Sequence, residues 1–233
     1  MQQTLPEQLS NKIIIQTLEL TRSGRSTAID VLASQARCTS EVAKRILNSL
    51  KVNSENDQVS LSTEARLRLA REASRGGFLG DVARTLDWQE FESFTEQCLD
   101  EAGYKVQKNV RTMNQGRIRE VDVVAARGNL VLCIDCKHWN SPSYPSKFTR
   151  ALRHQFEATC ALLRELRQKE TGSALGLPVV LTLLEPREKL RNGVVLLSID
   201  QLSDFAENLA PFSESLPFLS IDGVPAENPI KGP

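Results

Sequence analysis

The chain has 233 residues, of which 29 are Lys or Arg and 29 are Asp or Glu, so its formal net charge is zero. With 40% hydrophobic and 25% charged residues it has the make-up of an ordinary globular protein of one or two domains, which excludes a disordered or fibrous chain. No apolar run approaches the ~18 residues that span a bilayer, Met1–Ser10 lacks a basic and apolar leader, and five cysteines suit reduced thiols better than a disulfide framework; a cytoplasmic, membrane-free protein is expected.

Residues 1–76 suggest a small separate module. An apolar helix is expected over Asn11–Leu20, followed by a helical run containing Ile29, Val31 and Leu32. Ser40 can cap a third helix, Glu41–Leu50, with Val42, Ile46, Leu47 and Leu50 on its buried stripe. The polar segment Asn53–Gln58 separates Lys51-Val52 from Val59–Leu61, which suits a two-stranded wing, and Glu64–Ala73 forms a closing helix stopped by Gly76-Gly77. Three helices, a hairpin and a closing helix resemble a winged helix-turn-helix domain, in which the third helix would offer Lys44, Arg45 and Asn48 to the major groove. Such modules also dock proteins. Residues 77–86, with Gly76, Gly77 and Gly80 at their start, are expected to link this module to the rest, with a short lead-in helix over Asp81–Leu86.

The chemistry gathers beyond this linker. Trp88–Ala102 predicts a helix with acids Glu90 and Glu92, ending before Gly103-Tyr104. Between Gly103 and Arg119 stand Lys105, Lys108, Arg111, Arg117 and Arg119 without one acid, a basic approach suited to phosphates or a merely solvated loop. Val121–Ala126 and Leu130–Cys136 are β-branched-rich runs around a tight turn. If Gly128-Asn129 is a two-residue loop, Asp122 lies opposite Asp135, with Cβ atoms roughly 5 Å apart. Two like charges there need compensation, by a divalent cation and by Lys137, two residues beyond Asp135 on the same face.

After the hairpin, Asn140–Pro145 is expected to be a loop, since two prolines interrupt it. Lys147–Lys169 predicts a long helix with Phe148, Leu152, Phe156, Cys160 and Leu163 at helical spacing. Leu177–Leu184 and Gly193–Ser198 predict strands, Asp200–Leu209 a last helix, and 211–233 an irregular tail.

The order helix acid, Gly-Tyr-x-Val, Asp, Asp-x-Lys resembles the PD-(D/E)xK nuclease superfamily, in particular Mrr-like restriction endonucleases and archaeal Holliday junction resolvases. The resemblance covers about residues 86–205 and rests on Glu92, Asp122, Asp135 and Lys137. Asp135 stands where the family more often has Glu, and Val121 replaces the Pro of the "PD" element; neither removes a ligand. The resemblance implies an α/β fold with a restriction-endonuclease-like mixed sheet flanked by helices over 87–210, behind the winged-helix module. It implies a magnesium-dependent DNA endonuclease, with Mn2+ as a substitute. Asp122, Asp135, the Cys136 backbone carbonyl and Glu92 would hold the metal, and Lys137 would orient the attacking water. Lys44, Arg45, Lys105, Lys108, Arg111, Arg117 and Arg119 would contact DNA. Restriction, repair and junction resolution stay open, as does a homodimer, and a DNA-binding regulator or scaffold without catalysis is the rival.

Other signals are weaker. Cys133-x-x-Cys136 puts its sulfurs on opposite faces of a strand, so free thiols are favoured over zinc. His138 and Trp139 suit structural roles, Trp139 with base stacking as the alternative. Arg153 and Gln155 stand where related nucleases often place a polar helper. Glu120 could pair with Lys137 across the ladder.

Overall fold

The computed structural model describes residues 5–114, 116–138, 145–168, 173–209 and 216–220. The expectations for Trp139, for 140–144 and for most of the tail lie outside these residues. The chain divides into two compact units, Met1–Phe94 and Thr95–Pro233.

In the first unit the helices are α1 (Leu5–Leu20), α2 (Ile29–Ala36), α3 (Ser40–Ser49), α4 (Thr63–Arg75) and α5 (Leu79–Thr85), and α6 (Trp88–Glu101) begins there. Ile13, Ile14, Leu18, Leu32, Leu47 and Leu69 form a fully buried core. Thr39, one residue before the expected cap, accepts the Val42 N–H at 3.4 Å and starts α3, and Ser62 accepts the Ala65 N–H to start α4. The buried stripe of α3 is Ala43 and Leu47, with Val42, Ile46 and Leu50 only partly covered, because the small Ala43 allows the closest approach. The expected pairing of Lys51-Val52 with Val59 does not form. Instead β2 (Gln58–Val59) pairs antiparallel with β1 (Thr27–Ala28), and the intervening chain turns through Asn56 and Asp57 at φ 50° and 59°.

One buried ion pair ties these helices together. Arg66 of α4 donates to both carboxylate oxygens of Glu90 on α6, at 2.6 and 3.2 Å, and also to Leu18 O, Thr21 Oγ1 and Thr85 O. Glu90 in turn accepts the Asp87 N–H, while Asp87 caps the helix by accepting the Glu90 N–H. The guanidinium and carboxylate are 3% and 5% exposed, so burial is tolerated only because nearly every donor and acceptor is matched.

The second unit is a seven-stranded mixed sheet. Its strands are β3 (Lys105–Asn114), β4 (Arg117–Arg127), β5 (Leu130–Lys137), β6 (Leu175–Thr182), β7 (Leu190–Arg191), β8 (Val194–Ser198) and β9 (Leu219–Ser220). The order is β3-β4-β5-β6-β8-β7, with β9 pairing β6. β3, β4 and β5 form an antiparallel meander, while β5, β6 and β8 are parallel. The parallel step from β5 to β6 requires a crossover, supplied by α7 (Pro145–Gln168). Leu152, Phe156 and Leu163 of α7 pack on Val121, Cys133, Val180 and Leu196. Gly176 makes room for Leu163, whose Cδ1 would lie 2.8 Å from an added Cβ. β9 corrects the expectation of a wholly irregular tail: Leu219 and Ser220 complete the ladder beside Gly176 and Leu175. At the same end of the strands, where Arg127 pairs with Leu130 and Leu130 with Leu175, Arg127 stacks on Tyr104 at 4.3 Å, and both donate to the Ala206 carbonyl of α8 (Leu202–Asn208).

Candidate active site

The β4–β5 hairpin turns through Gly128-Asn129, with Gly128 at φ 61°, and pairs Arg127 with Leu130 through to Val123 with Ile134. The ladder then stops, although β5 stays paired with β6 as far as Lys137. Asp122 stands at this break. Its Oδ2 accepts the Cys136 N–H at 2.8 Å, so a side chain replaces the partner strand for that backbone donor.

The other edge of β4 is broken at the same residue. Pairing with β3 runs from Lys105↔Ala126 to Lys108↔Val123 and resumes at Val110↔Val121, skipping Asn109, which has φ 53°. Side-chain alternation changes phase across the gap. Val121 and Val124 both pack toward the α7 core, three residues apart, which a regular strand forbids. Asp122 is therefore presented from a local distortion, and Glu120 is turned away: it accepts from Arg111 at 2.9 Å and does not pair with Lys137.

Lys137 instead donates to Asp135 Oδ1 at 2.6 Å. Asp135 is buried, and its Oδ2 has no hydrogen-bond partner among the described residues. Burial first, and then the neighbouring Asp135 charge, push the Asp122 carboxyl up to about 6. Burial works to lower the Lys137 ammonium, but Asp135 and Asp122 outweigh it and the net shift is upward. The trio thus holds two acids that resist joint ionisation and one firmly charged cation, an arrangement that favours an added positive ion.

Among the described residues no three His, Cys, Asp or Glu side chains converge on one point. Magnesium does not require that, since it is commonly held by one or two carboxylates with waters and substrate phosphate. The unpartnered Asp135 oxygen beside Asp122 offers the hard oxygen donors such an ion takes.

The remaining expected residues are placed as follows. Glu92 lies on α6 and is 8% exposed, while Glu90, the competing acid, is committed to Arg66. The basic approach is no loop: all five residues lie on β3 and β4. Nor is it uncompensated, because Lys108 pairs with Glu96 at 2.9 Å, Arg111 with Glu120 at 2.9 Å and Arg119 with Glu157 of α7. Lys105 and Arg117 are exposed. In the first unit Arg45 is exposed and Lys44 pairs with Asp57 at 2.6 Å.

None of the five cysteines forms a disulfide. Burial pushes the Cys133 thiol up to about 12 and Cys160 up to about 11, which leaves both unreactive and poor metal ligands. Gln155 is fully buried and donates to the Cys133 carbonyl, with its Oε1 unpartnered among the described residues. His154 beside it was not distinguishable in the sequence. Burial, Arg119 and Lys137 lower its pKa, against the pull of Asp122 and Glu157, which favours the neutral imidazole.

The mixed sheet flanked by helices, with Asp122, Asp135 and Lys137 gathered at one hairpin, is consistent with a restriction-endonuclease-like core. Residues 83–163 match the model of a restriction endonuclease family, a segment that contains α6, the hairpin and most of α7. This match supports a nuclease-like domain over that segment. An uncharacterized protein of Archaeoglobus fulgidus is 24% identical over 132 residues, covering 57% of this chain and 98% of that protein. The crystal structure of protein VC1899 from Vibrio cholerae is similar with a TM-score of 0.41 and 12% identity over 92% of this chain; the chain covers 58% of that protein's length. No helix among the described residues is long and apolar enough to cross a membrane.

Proposed function

We propose that the protein is a metal-dependent DNA endonuclease that hydrolyses phosphodiester bonds. The observation that carries this reading is the trio Asp122, Asp135 and Lys137, with an unpartnered buried oxygen on Asp135 next to a second carboxylate. Magnesium, or manganese in its place, would be held by Asp122, Asp135 and the Cys136 carbonyl, with waters and substrate phosphate completing its shell. When bound it would polarise the phosphate and acidify a water. Lys137 supplies what the protein itself must add: a fixed ammonium that orients the attacking water and faces the charge developing on phosphorus. The Asp122 hydrogen bond to Cys136 N–H fixes the carboxylate geometry before substrate arrives. Arg119, held by Glu157, and the exposed Lys105 and Arg117 would meet the DNA backbone, with Lys44 and Arg45 of a winged-helix-like first unit as further contacts.

A cleavage panel of linear, forked, four-way and methylated DNA, with and without magnesium, tests the reading. Metal-dependent cutting of at least one substrate is expected. Binding without cutting under every condition would favour a DNA-binding scaffold.

A further inference from the structure

We propose that His154 is a substrate-contacting residue of this site, donating an imidazole N–H to a phosphate oxygen beside the reacting group. The inference rests on the nuclease reading above and extends it to a residue on α7.

The placement follows from how α7 lies along β3 and β4. Near its C-terminal end, Glu165 accepts the Met113 N–H at 2.9 Å and Arg164 donates to Asn114, whose strand partner is Arg117. Farther back along the helix, Glu157 binds Arg119. Moving toward the helix N-terminus therefore means moving up β4 toward Asp122. His154 precedes Glu157 by three residues, ~4.5 Å of helix rise, or between one and two strand residues at roughly 3.3 Å each. Positions three apart share one helix face, so His154 emerges on the side from which Glu157 reaches Arg119, one step nearer Asp122. A second pin fixes the rotation: Gln155, the next residue, is buried against the Cys133 carbonyl, two residues before Asp135. His154 thereby lies on the α7 surface between Gln155, which reaches β5, and Glu157, which reaches β4. It is only partly buried, so substrate can reach it.

The charged groups facing it are Arg119, Lys137, Asp122 and Glu157. Two cations already serve this place, and a third would compete for the metal; a neutral ring adds a donor without adding charge. The sharply directional N–H also suits a phosphate oxygen held at a fixed angle, where Lys137 acts as a point charge.

The test uses the full chain with Mg2+ or Mn2+ and the best DNA substrate of the panel. In His154→Ala, kcat should fall on the order of 100-fold, as for loss of one preorganised donor, with KM for DNA within threefold of the unaltered protein. Added imidazole should restore at least tenfold of the lost rate, a rescue that a packing role would not give. His154→Gln, which keeps an N–H donor, should fall between the two. A kcat within twofold of the unaltered protein in folded His154→Ala overturns the proposal, and so does a loss that imidazole leaves unchanged. If the unaltered protein cuts none of the substrates, the nuclease reading falls and this role with it; cutting that survives His154→Ala removes this role alone.

Discussion

Asp122 concentrates the physical tension of the site. Its folded pKa of about 6 lies above the ordinary 3.8, so the fold prefers the protonated form. A group raised in this way stabilises the fold below its unfolded value and loses that contribution as pH rises through the folded value. The metal-free protein should therefore lose on the order of 2 kcal/mol of stability between pH 4 and pH 7 from the interacting Asp122 and Asp135 carboxyls. Asp122→Asn keeps an oxygen for the Cys136 N–H and cannot ionise, so its denaturation midpoint should vary less with pH in EDTA. A variant as pH-dependent as the unaltered protein would show that Asp122 is not the strained acid. Magnesium favours the ionised form, so it should stabilise the unaltered protein more at pH 7.5 than at pH 5, and barely stabilise Asp122→Asn at either.

At the scale of elements, the Arg66–Glu90 pair governs how α6 starts. Removing one member leaves the other charge buried, at a cost of about 3–5 kcal/mol. Glu90→Ala should lower the thermal midpoint sharply, whereas Glu92→Ala, which leaves Arg66 and Glu90 intact, should cost less stability while reducing cleavage. Equal stability losses in the two variants would contradict the division of roles between these acids. None of the Arg66 contacts could be read from the chain, because Leu18, Thr85 and Glu90 lie 48, 19 and 24 residues away from it. The β4–β5 hairpin was legible for the opposite reason: its register follows from a two-residue Gly-Asn turn and an apolar pattern within twenty residues. The break at Asp122 was not, since it depends on Asn109 adopting φ 53° in the neighbouring strand. The acid that neutralises Arg119 was hidden likewise, since Glu157 stands 38 residues from it, whereas Glu96 and Glu120 lie close in the chain to their partners Lys108 and Arg111. His154 carried no signal at all, being placed by the path of α7 across the sheet.

For the whole molecule, zero net charge and the pairing of Lys44, Lys108, Arg111 and Arg119 with acids predict that DNA, if bound, releases few counterions. The logarithm of affinity falls with the logarithm of salt in proportion to the phosphates contacted. Lys44→Ala with Arg45→Ala should weaken binding and flatten that slope by up to about two contacts; identical slopes and affinities would show that α3 does not touch DNA and favour a docking role for the first unit. The chemistry of the carboxylate pair and its lysine is probed by turnover of purified Asp135→Ala with magnesium, on the DNA that the unaltered protein cuts. No detectable cleavage is expected from a protein that remains folded, since removing one of two repelling carboxylates does not unfold the hairpin. Turnover at the unaltered rate would contradict it.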